Sequence, residues 1–496
     1  MLHTSYFMTN KFIKMGVVRT RIAPSPTGFL HIGTARTALF NYIFTKKYQG
    51  QFVLRIEDTD IERSDEKFEM DIIEGLKWLG LNWDEGPEIG GDYAPYRQSE
   101  RNYTYAKYTQ KLLDENKAYY CFCSQEELEA QRADLISEGL APIYSGKCRN
   151  LSKEEIAEKL NGNNKYIIRF KMPGKKIFFD DMIRGNLEFD TELVGDFAIA
   201  KNIGIPLYNF AVVVDDFEMK ITHIIRGEDH ISNTPKQIAL CEALDFPILQ
   251  YAHLPLILGH DRSKMSKRDG ATSIIEYKKQ GFLPEAMINF MALLGWNPGT
   301  NKEIFSIKEL EKEFSMERIQ KSGAIFNIQK LESINAHYIK KMTLEKLADL
   351  CAPYFKKAGY KTNDEKLKKI IKLEQERIKK ISDILEIAKF FFEPSDYLAE
   401  ILIWKKSNKE KALATLKDVL KNFESVADNN FNIQNLKPIL DILTEKHNGA
   451  GEVFWPLRVA LSSQESSPPP LEIAEILDKK ETLKRIKIAI DKLMQI

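Results

Sequence analysis

Two short segments, far apart in the chain, contain residues suited to binding phosphate groups. Residues 24–34 join a turn rich in proline and glycine to a histidine, His31, at a predicted helix start. Free backbone N–H groups and the positive end of the helix dipole attract phosphate there. Residues 264–268 add the cations of Lys264 and Lys267. Because neither segment has the glycine spacing of a Walker loop or a dinucleotide fingerprint, the pair predicts an ATP site of another kind.

Charged residues near the same predicted pocket indicate a second substrate. Arg21 lies on the first predicted strand and Arg226 ends a later one, so both are expected at the pocket. Guanidinium groups are natural bidentate partners of a carboxylate, which favours an acidic substrate. Glu57, at another strand end, would bind the ammonium group of an amino acid, and Ser25 and Tyr208 would add hydrogen bonds.

Each of these residues also has a purely structural interpretation. His31 could make only a local hydrogen bond, and the second segment could be a solvated loop. Arg21 could pair with Glu57, and Arg226 could bridge Asp229. Residue types alone leave these alternatives open, whereas the order and separation of the two segments favour the functional interpretation.

The phosphate-binding turn is predicted to lie in a βαβ unit. Residues 17–22 form a strand, a helix follows through Ala35, Leu39 and Ile43, and residues 52–56 form a second strand. Parallel strands place ligands beyond their carboxyl ends, so the residues after both strands should meet at one pocket. A parallel-sheet scaffold whose polar strand ends merely terminate the sheet is the alternative.

Composition limits the class of protein. The chain has 496 residues, 43% hydrophobic and 29% charged, which suits a soluble multidomain protein. The net charge of +1 gives no sign of a strongly basic nucleic-acid binder, so an RNA partner would need local basic faces. No apolar run is long enough to span a bilayer, and residues 1–16 are predicted to be a disordered leader. Five cysteines argue against a disulfide framework and favour a cytoplasmic location.

The predicted secondary structure changes in character twice after the βαβ unit. Short strands and turns rich in glycine and aspartate predict an α+β insertion over 121–201. Residues 212–216 and 221–226 are predicted as buried strands of the resumed nucleotide-binding fold. Beyond about residue 271 the chain is largely helical. The predicted fold is an α/β Rossmann-type catalytic domain with an α+β insertion, followed by an all-α C-terminal region.

Longer motifs resemble a known family. The two segments described first resemble the signature motifs of class I aminoacyl-tRNA synthetases, with Thr34 in place of a second histidine. Residues 21–28, 55–60, 96–101 and 225–230 resemble the bacterial glutamate–tRNA ligases, and the match spans nearly the whole chain. The resemblance implies ATP-dependent attachment of glutamate to the 3′ end of tRNA(Glu) through glutamyl-AMP, with release of AMP and pyrophosphate. It also implies Mg²⁺ bound with ATP.

The resemblance implies a role for individual residues. The implied catalytic residues are His31, Lys264 and Lys267. The implied ATP-binding residues are Gly33, Thr34, Asp229, His230 and Lys267. The implied glutamate-binding residues are Arg21, Ala23, Ser25, Glu57, Tyr208 and Arg226. Adenylate formation needs only charge neutralisation on the phosphates and a positioned carboxylate, so cations and N–H donors suffice.

The resemblance also implies a role for each part of the chain. The helical C-terminal half resembles the anticodon-binding region of bacterial glutamate enzymes and not the β-barrels of glutamine enzymes. Arg377 stands where discriminating relatives carry an arginine near the anticodon, although a solvated helix face is the alternative. A monomer is the family default. The implied boundaries are 1–16 (leader), 17–120 and 202–271 (catalytic domain), 121–201 (acceptor-end insertion), 272–330 (stem contact) and 331–496 (two helical anticodon-binding subdomains).

A cysteine cluster lies where many relatives carry zinc. Cys121, Cys123 and Cys148 could bind Zn²⁺ as thiolates. Asn150 occupies the position of a histidine ligand in some relatives, which leaves the phenol of Tyr144 to complete the site. The alternative is a set of small buried apolar residues.

Three rival functions remain open. A non-discriminating enzyme would also charge tRNA(Gln) with glutamate. A short paralogue that modifies a tRNA base is disfavoured by the long helical C-terminus. A non-catalytic tRNA-binding protein is disfavoured by the presence of His31, Lys264 and Lys267.

Overall fold

The computed structural model of the protein describes residues 17–263, 265 and 273–496. The predicted leader, Lys264 and Lys267 lie outside the described residues. The chain divides into two compact units, one with the described residues up to Lys279 and Pro284–Leu331, the other with Gln280–Leu283 and Glu332–Ile496. Among the described helices, none is both long enough and apolar enough to cross a membrane.

The first unit combines short strands with helices. Its strands are β1 (Arg19–Ile22), β2 (Gln51–Leu54), β3 (Ala118–Cys121), β4 (Ile167–Phe170), β5 (Lys176–Asp181), β6 (Gly185–Asp190), β7 (Phe197–Asn202), β8 (Ile205–Pro206), β9 (His223–Gly227), β10 (Gln250–Leu254), β11 (Ile257–Leu258) and β12 (Ala324–Ile325). Its helices are α1 (Ile32–Lys47), α2 (Glu66–Trp78), α3 (Asn102–Asp114), α4 (Gln125–Ser137), α5 (Lys153–Asn161), α6 (Tyr208–Glu218), α7 (Thr234–Leu244), α8 (Ile274–Lys279), α9 (Pro284–Leu293) and α10 (Ile307–Glu313).

The predicted βαβ unit is confirmed by β1, α1 and β2. The two strands are parallel, with Arg21 opposite Val53. Helix α1 buries Ala35, Leu39 and Ile43, the apolar positions that predicted it. The crossover helix thus covers the sheet, as parallel strands require.

The prediction of a strand over 212–216 is wrong, because these residues lie in the middle of helix α6. Every residue from Phe210 to Asp216 is buried. A short apolar run that is buried all round shows no period, so it cannot distinguish a helix from a strand. The next strand is confirmed but begins later than predicted, at His223.

The predicted insertion, 121–201, contributes strands to two sheets, and the first of these also uses β3 and β8 from the residues that flank it. Strands β3, β4, β7 and β8 form one four-stranded sheet in that order. The β5–β6 hairpin joins a second sheet, of order β6-β5-β10-β9, in which Asp181 of β5 is opposite Tyr251 of β10. A strand from the predicted insertion therefore extends the sheet that contains Arg226 on β9.

The second unit contains helices and no strand among its described residues, which confirms the predicted all-α C-terminal region. Helix α11 spans the boundary between the units. The helices are α11 (Ile328–Lys340), α12 (Leu344–Lys357), α13 (Asp364–Glu374), α14 (Ile384–Ala388), α15 (Lys409–Glu424), α16 (Ile433–Lys446), α17 (Ala450–Ser462) and α18 (Pro470–Gln495). Together with the first unit, they confirm the predicted fold class. The exact domain boundaries stay a prediction.

Candidate active site

A cavity of about 1180 Å³ opens in the first unit. It is lined by all the described residues that were predicted to bind ATP or glutamate, namely Arg21, Ala23, Ser25, His31, Gly33, Thr34, Glu57, Tyr208, Arg226, Asp229 and His230. Most of these residues end or follow β1, β2 and β9 or begin α1, and Tyr208 begins α6. The strand ends therefore meet at one site, as the parallel arrangement predicts.

A buried ion-pair network holds one side of the cavity. The Nε of Arg21 lies 3.1 Å from Oδ1 of Asp216, on helix α6. Arg55, fully buried after β2, donates to the same Oδ1 at 2.7 Å and to Glu57 at 2.9 Å. Burial would raise the pKa of Asp216, but Arg21 and Arg55 lower it below its usual value. Glu57 thus pairs with Arg55 in place of the alternative partner, Arg21.

Burial affects Glu57 differently from Asp216. It raises the pKa of the Glu57 carboxyl, and the charge of Arg55 offsets only part of that effect. A second cation beside Glu57 would therefore stabilise its charged form. The ammonium group of an amino acid is a cation of suitable size.

Arg226, near the end of β9, also lines the cavity. Its Nε lies 3.2 Å from Nε2 of His253, and its Nη2 lies 2.8 Å from Oγ1 of Thr234. Its Nη1 is buried and has no hydrogen-bond partner among the described residues. The alternative bridge to Asp229 is not among the ion pairs of the described residues. A buried donor without a partner costs about 1–3 kcal/mol, so this nitrogen favours a bound acceptor such as a carboxylate.

The start of α1 shows how His31 and Gly33 cooperate. The Nδ1 of His31 accepts the N–H groups of Gly33 and Thr34 at 3.2 and 3.4 Å, so the ring caps the helix. A Cβ at position 33 would lie 3.1 Å from the imidazole, which explains the glycine. The local hydrogen bond that the sequence left open is therefore present. Since Nδ1 is an acceptor, a neutral ring has its proton on Nε2, which lies 3.1 Å from Oγ1 of Thr34.

Neutral polar groups face the charged ones. The hydroxyl of Tyr208 lies 3.0 Å from Nδ1 of His230. Burial lowers the pKa of His230 to about 4 and raises that of Tyr208 to about 12. Both side chains are therefore neutral near pH 7, and they can orient a ligand without adding charge.

Comparison with known proteins decides the family. The model of the catalytic domain of class I tRNA synthetases (E and Q) matches residues 17–333, and an anticodon-binding domain matches 346–490. The chain belongs to the class I tRNA synthetases of the E and Q type. It is 47% identical over 485 residues to glutamate–tRNA ligase 1 of Caldicellulosiruptor saccharolyticus, covering 95% of this chain and 98% of that one. It is 46% identical over 483 residues to the glutamate–tRNA ligase of Carboxydothermus hydrogenoformans, covering 95% and 99%.

A solved structure agrees with this assignment. The crystal structure of a glutamate tRNA ligase from Elizabethkingia meningosepticum, in complex with its amino acid, matches with a TM-score of 0.89. It is 36% identical and covers 96% of this chain and 100% of that one. This synthetase thus has the fold of that enzyme along nearly its whole length.

The cysteine cluster of this synthetase lies apart from the cavity. The Sγ atoms of Cys121, Cys123 and Cys148 all lie within 4.8 Å of one another. The phenol oxygen of Tyr144 lies 3.5 Å from Sγ of Cys121 and 3.3 Å from that of Cys123, and it accepts the N–H of Cys148 at 3.0 Å. Burial would raise the pKa of Cys121, but hydrogen bonds from Tyr144 and Arg169 lower it. Three sulfur atoms, of the type that binds Zn²⁺ as thiolates, therefore lie close together beside one phenol oxygen.

Arg377 belongs to the helical unit, in a short 3-10 turn after α13. Its Nη1 lies 2.8 Å from Oε2 of Glu374. The Glu374 side chain is fully buried, and its Oε1 has no hydrogen-bond partner among the described residues. Arg377 is partly exposed, with 38% of its side chain open to solvent. The buried carboxyl group of Glu374 therefore holds the guanidinium of Arg377 in place at the surface.

Sequence reasoning gave no role to Arg55, Asp216 or His253. Important partners lie far away in the chain: Arg55 and Asp216 are 161 positions apart, and His253 and Asp181 are 72 positions apart. One signal was present: Asp215 and Asp216 end a buried apolar run. Two carboxylates in such a run require buried cations.

Proposed function

We propose that this synthetase attaches glutamate to the 3′ end of tRNA(Glu) in two steps. A glutamate α-carboxylate oxygen attacks the α-phosphorus of ATP, which gives glutamyl-AMP and expels pyrophosphate. A hydroxyl of the terminal adenosine then attacks the carbonyl carbon and expels AMP. The observation that supports glutamate most directly is the buried Nη1 of Arg226 in the cavity, for which the described part of the chain offers no hydrogen-bond partner. The curated relatives compared above are named glutamate–tRNA ligases.

In this proposal, different residues of the cavity bind different groups of the glutamate substrate. Arg226 and Arg21 pair with the side-chain carboxylate of glutamate, and Tyr208 donates a hydrogen bond to it. Glu57 binds the substrate ammonium group. That cation stabilises the charged form of Glu57, which burial alone disfavours. Ser25 and Ala23 line the wall between these groups and the nucleotide.

The nucleotide lies over the start of α1 in this proposal. Gly33, Thr34, Asp229 and His230 line that part of the cavity, and the positive end of the α1 dipole attracts phosphate there. The ring of His31, which caps the N–H groups of Gly33 and Thr34, lies at the same helix start. Lys264 and Lys267, outside the described residues, neutralise the triphosphate. Mg²⁺ bound with ATP supplies further positive charge for the departing pyrophosphate. The protein contributes position and charge but no covalent nucleophile.

Two further assignments belong to the same proposal. Cys121, Cys123, Tyr144 and Cys148 hold a structural Zn²⁺, because their donor atoms converge. The helical unit binds the anticodon, and Arg377 contacts it. None of the five cysteines forms a disulfide bond, which suits a reducing cytoplasm.

Charging assays with purified tRNA(Glu) and tRNA(Gln) test the function. We expect glutamate to be attached to tRNA(Glu) and glutamine to neither tRNA. Attachment of glutamate to tRNA(Gln) as well would identify the non-discriminating form. The absence of glutamate-dependent pyrophosphate exchange in the presence of either tRNA would refute catalysis. A Lys77→Ala variant, at an exposed ion pair with Glu88, serves as the control for protein quality.

A further inference from the structure

Three side chains from three neighbouring strands form a buried chain of hydrogen bonds that ends at the active site. Asp181 ends β5, His253 lies on β10, and Arg226 lies on β9 directly opposite His253. Their relative exposures are 2, 0 and 4%. The Oδ2 of Asp181 lies 2.6 Å from Nδ1 of His253, and the Nε2 of His253 lies 3.2 Å from Nε of Arg226.

Elementary chemistry fixes the proton on this histidine. The Nε of Arg226 can only donate, so Nε2 of His253 must accept and carries no proton. The ring proton is therefore on Nδ1 and is donated to Asp181. That carboxylate also accepts the backbone N–H groups of His253, Ile183 and Arg184, at 3.0, 3.0 and 2.9 Å. Four donors hold it as an anion in a fixed orientation.

The consequence for Arg226 is geometric. A guanidinium is planar, so fixing two of its nitrogen atoms fixes the third. His253 accepts a hydrogen bond from Nε, and Thr234 accepts one from Nη2. The buried Nη1 is left without a partner among the residues that the structure describes. Without the acceptor at His253, the guanidinium could rotate and lose its register with a bound carboxylate.

We infer that Asp181 and His253 are positioning residues for glutamate: they hold Arg226 in the plane and orientation that receive the side-chain carboxylate. This inference rests on the proposed role of Arg226 in binding glutamate. It also gives the segment predicted as the acceptor-end insertion a part in amino-acid selection, because Asp181 lies within 121–201. The hairpin that carries Asp181 is tied to the site a second time, since Arg184 of its turn pairs with Glu228, next to β9.

The test compares two replacements of His253 in the full-length enzyme. His253→Phe keeps a ring but removes the acceptor, and His253→Gln returns an acceptor near the position of Nε2. We expect His253→Phe to raise the KM for glutamate about tenfold, the effect of one charge-assisted hydrogen bond, with little change in kcat or in the KM for ATP. His253→Gln should recover most of the loss. His223→Phe, at a half-buried histidine of the same strand as Arg226 that does not line the active-site cavity, is the matched control.

A double-mutant cycle with Arg226→Ala separates this inference from the proposed function. If His253 acts through Arg226, the double variant should have the same KM for glutamate as Arg226→Ala alone. Additive effects, or an unchanged KM in a folded His253→Phe protein, would overturn the positioning role while the pocket assignment survived. An unchanged KM in Arg226→Ala would overturn the pocket assignment itself. Thermal unfolding of each variant establishes that it is folded.

Discussion

Replacing Glu374 by glutamine should remove part of the pH dependence of the free energy of unfolding. Burial raises the pKa of this carboxyl from 4.5 to about 7, and the charge of Arg377 offsets only part of the rise. The folded state thus binds the proton more tightly than the unfolded chain. The stabilisation that results is complete below about pH 4.5, and it is lost as the pH rises through about 7.

The magnitude follows from the difference between the two pKa values. A pKa that is higher by about 2.5 in the folded state corresponds to a contribution on the order of 3 kcal/mol to the free energy of unfolding, because a pKa difference of one is worth about 1.4 kcal/mol. Between about pH 5.5 and about pH 8, proton linkage gives a loss of about 2 kcal/mol from this one carboxyl. A glutamine has no proton to lose, so the variant should lack this loss.

Urea unfolding of the full-length wild type and Glu374→Gln at both pH values measures the difference. Glu376→Gln, in the same turn and with 74% of its side chain exposed, is the matched control and should keep the wild-type pH dependence. If the free energy of unfolding changed equally between the two pH values in the wild type and in Glu374→Gln, Glu374 would titrate as an ordinary surface glutamate. That result would refute the argument from burial.

The same variant tests why a costly buried carboxylate is present. Among the residues that the structure describes, Glu374 has one charged partner, Arg377, at 2.8 Å. If the carboxylate exists to orient that guanidinium toward the anticodon, Glu374→Gln should raise the KM for tRNA(Glu) several-fold, on the order of one charge-assisted hydrogen bond. The KM for glutamate should not change. An unchanged KM for tRNA(Glu) would leave Glu374 without a role in recognition.

Three further predictions concern the first unit. Arg226→Ala should raise the KM for glutamate about 10- to 100-fold, because a charged hydrogen-bond partner is lost, and steady-state kinetics would contradict this if the KM stayed constant. Lys267→Ala should strongly depress pyrophosphate exchange while tRNA binding stays near normal; unchanged turnover would remove residues 264–268 from the mechanism. Cys148→Ala should abolish bound zinc as measured by metal analysis, whereas Cys241→Ala, at a free cysteine outside the cluster, should not; equal zinc contents would refute the site.

The composition of the cavity could be predicted from sequence because it depends on a topological rule. Strands of a parallel sheet end on the same side, so Arg21, Glu57 and Arg226 had to converge once their strands were recognised. The structure places all three in the lining of one cavity. The resemblance of longer motifs to a known family implied the roles of the individual residues.

The elements and pairs that sequence reasoning missed depend on tertiary contacts. The run 212–216 is buried on all sides, so its periodicity could not distinguish a helix from a strand. Helical geometry is what brings Asp216 to both Arg21 and Arg55. The partners of His253 and Arg55 were beyond prediction for the same reason, since nothing local in the sequence selects among the many acidic residues.

The charges of the pocket favour glutamate over glutamine on physical grounds. Arg21 and Arg55 both pair with Asp216. Arg226 has no ion pair among the described residues, and its hydrogen-bond partners there, His253 and Thr234, are neutral. Tyr208 and His230 are also neutral near pH 7 and supply no counter-charge. The side-chain carboxylate of glutamate would pair with the Arg226 guanidinium, whereas the neutral amide of glutamine would leave that guanidinium without a counter-charge. Because an unpaired buried charge costs several kcal/mol, the site can reject glutamine without excluding it by shape.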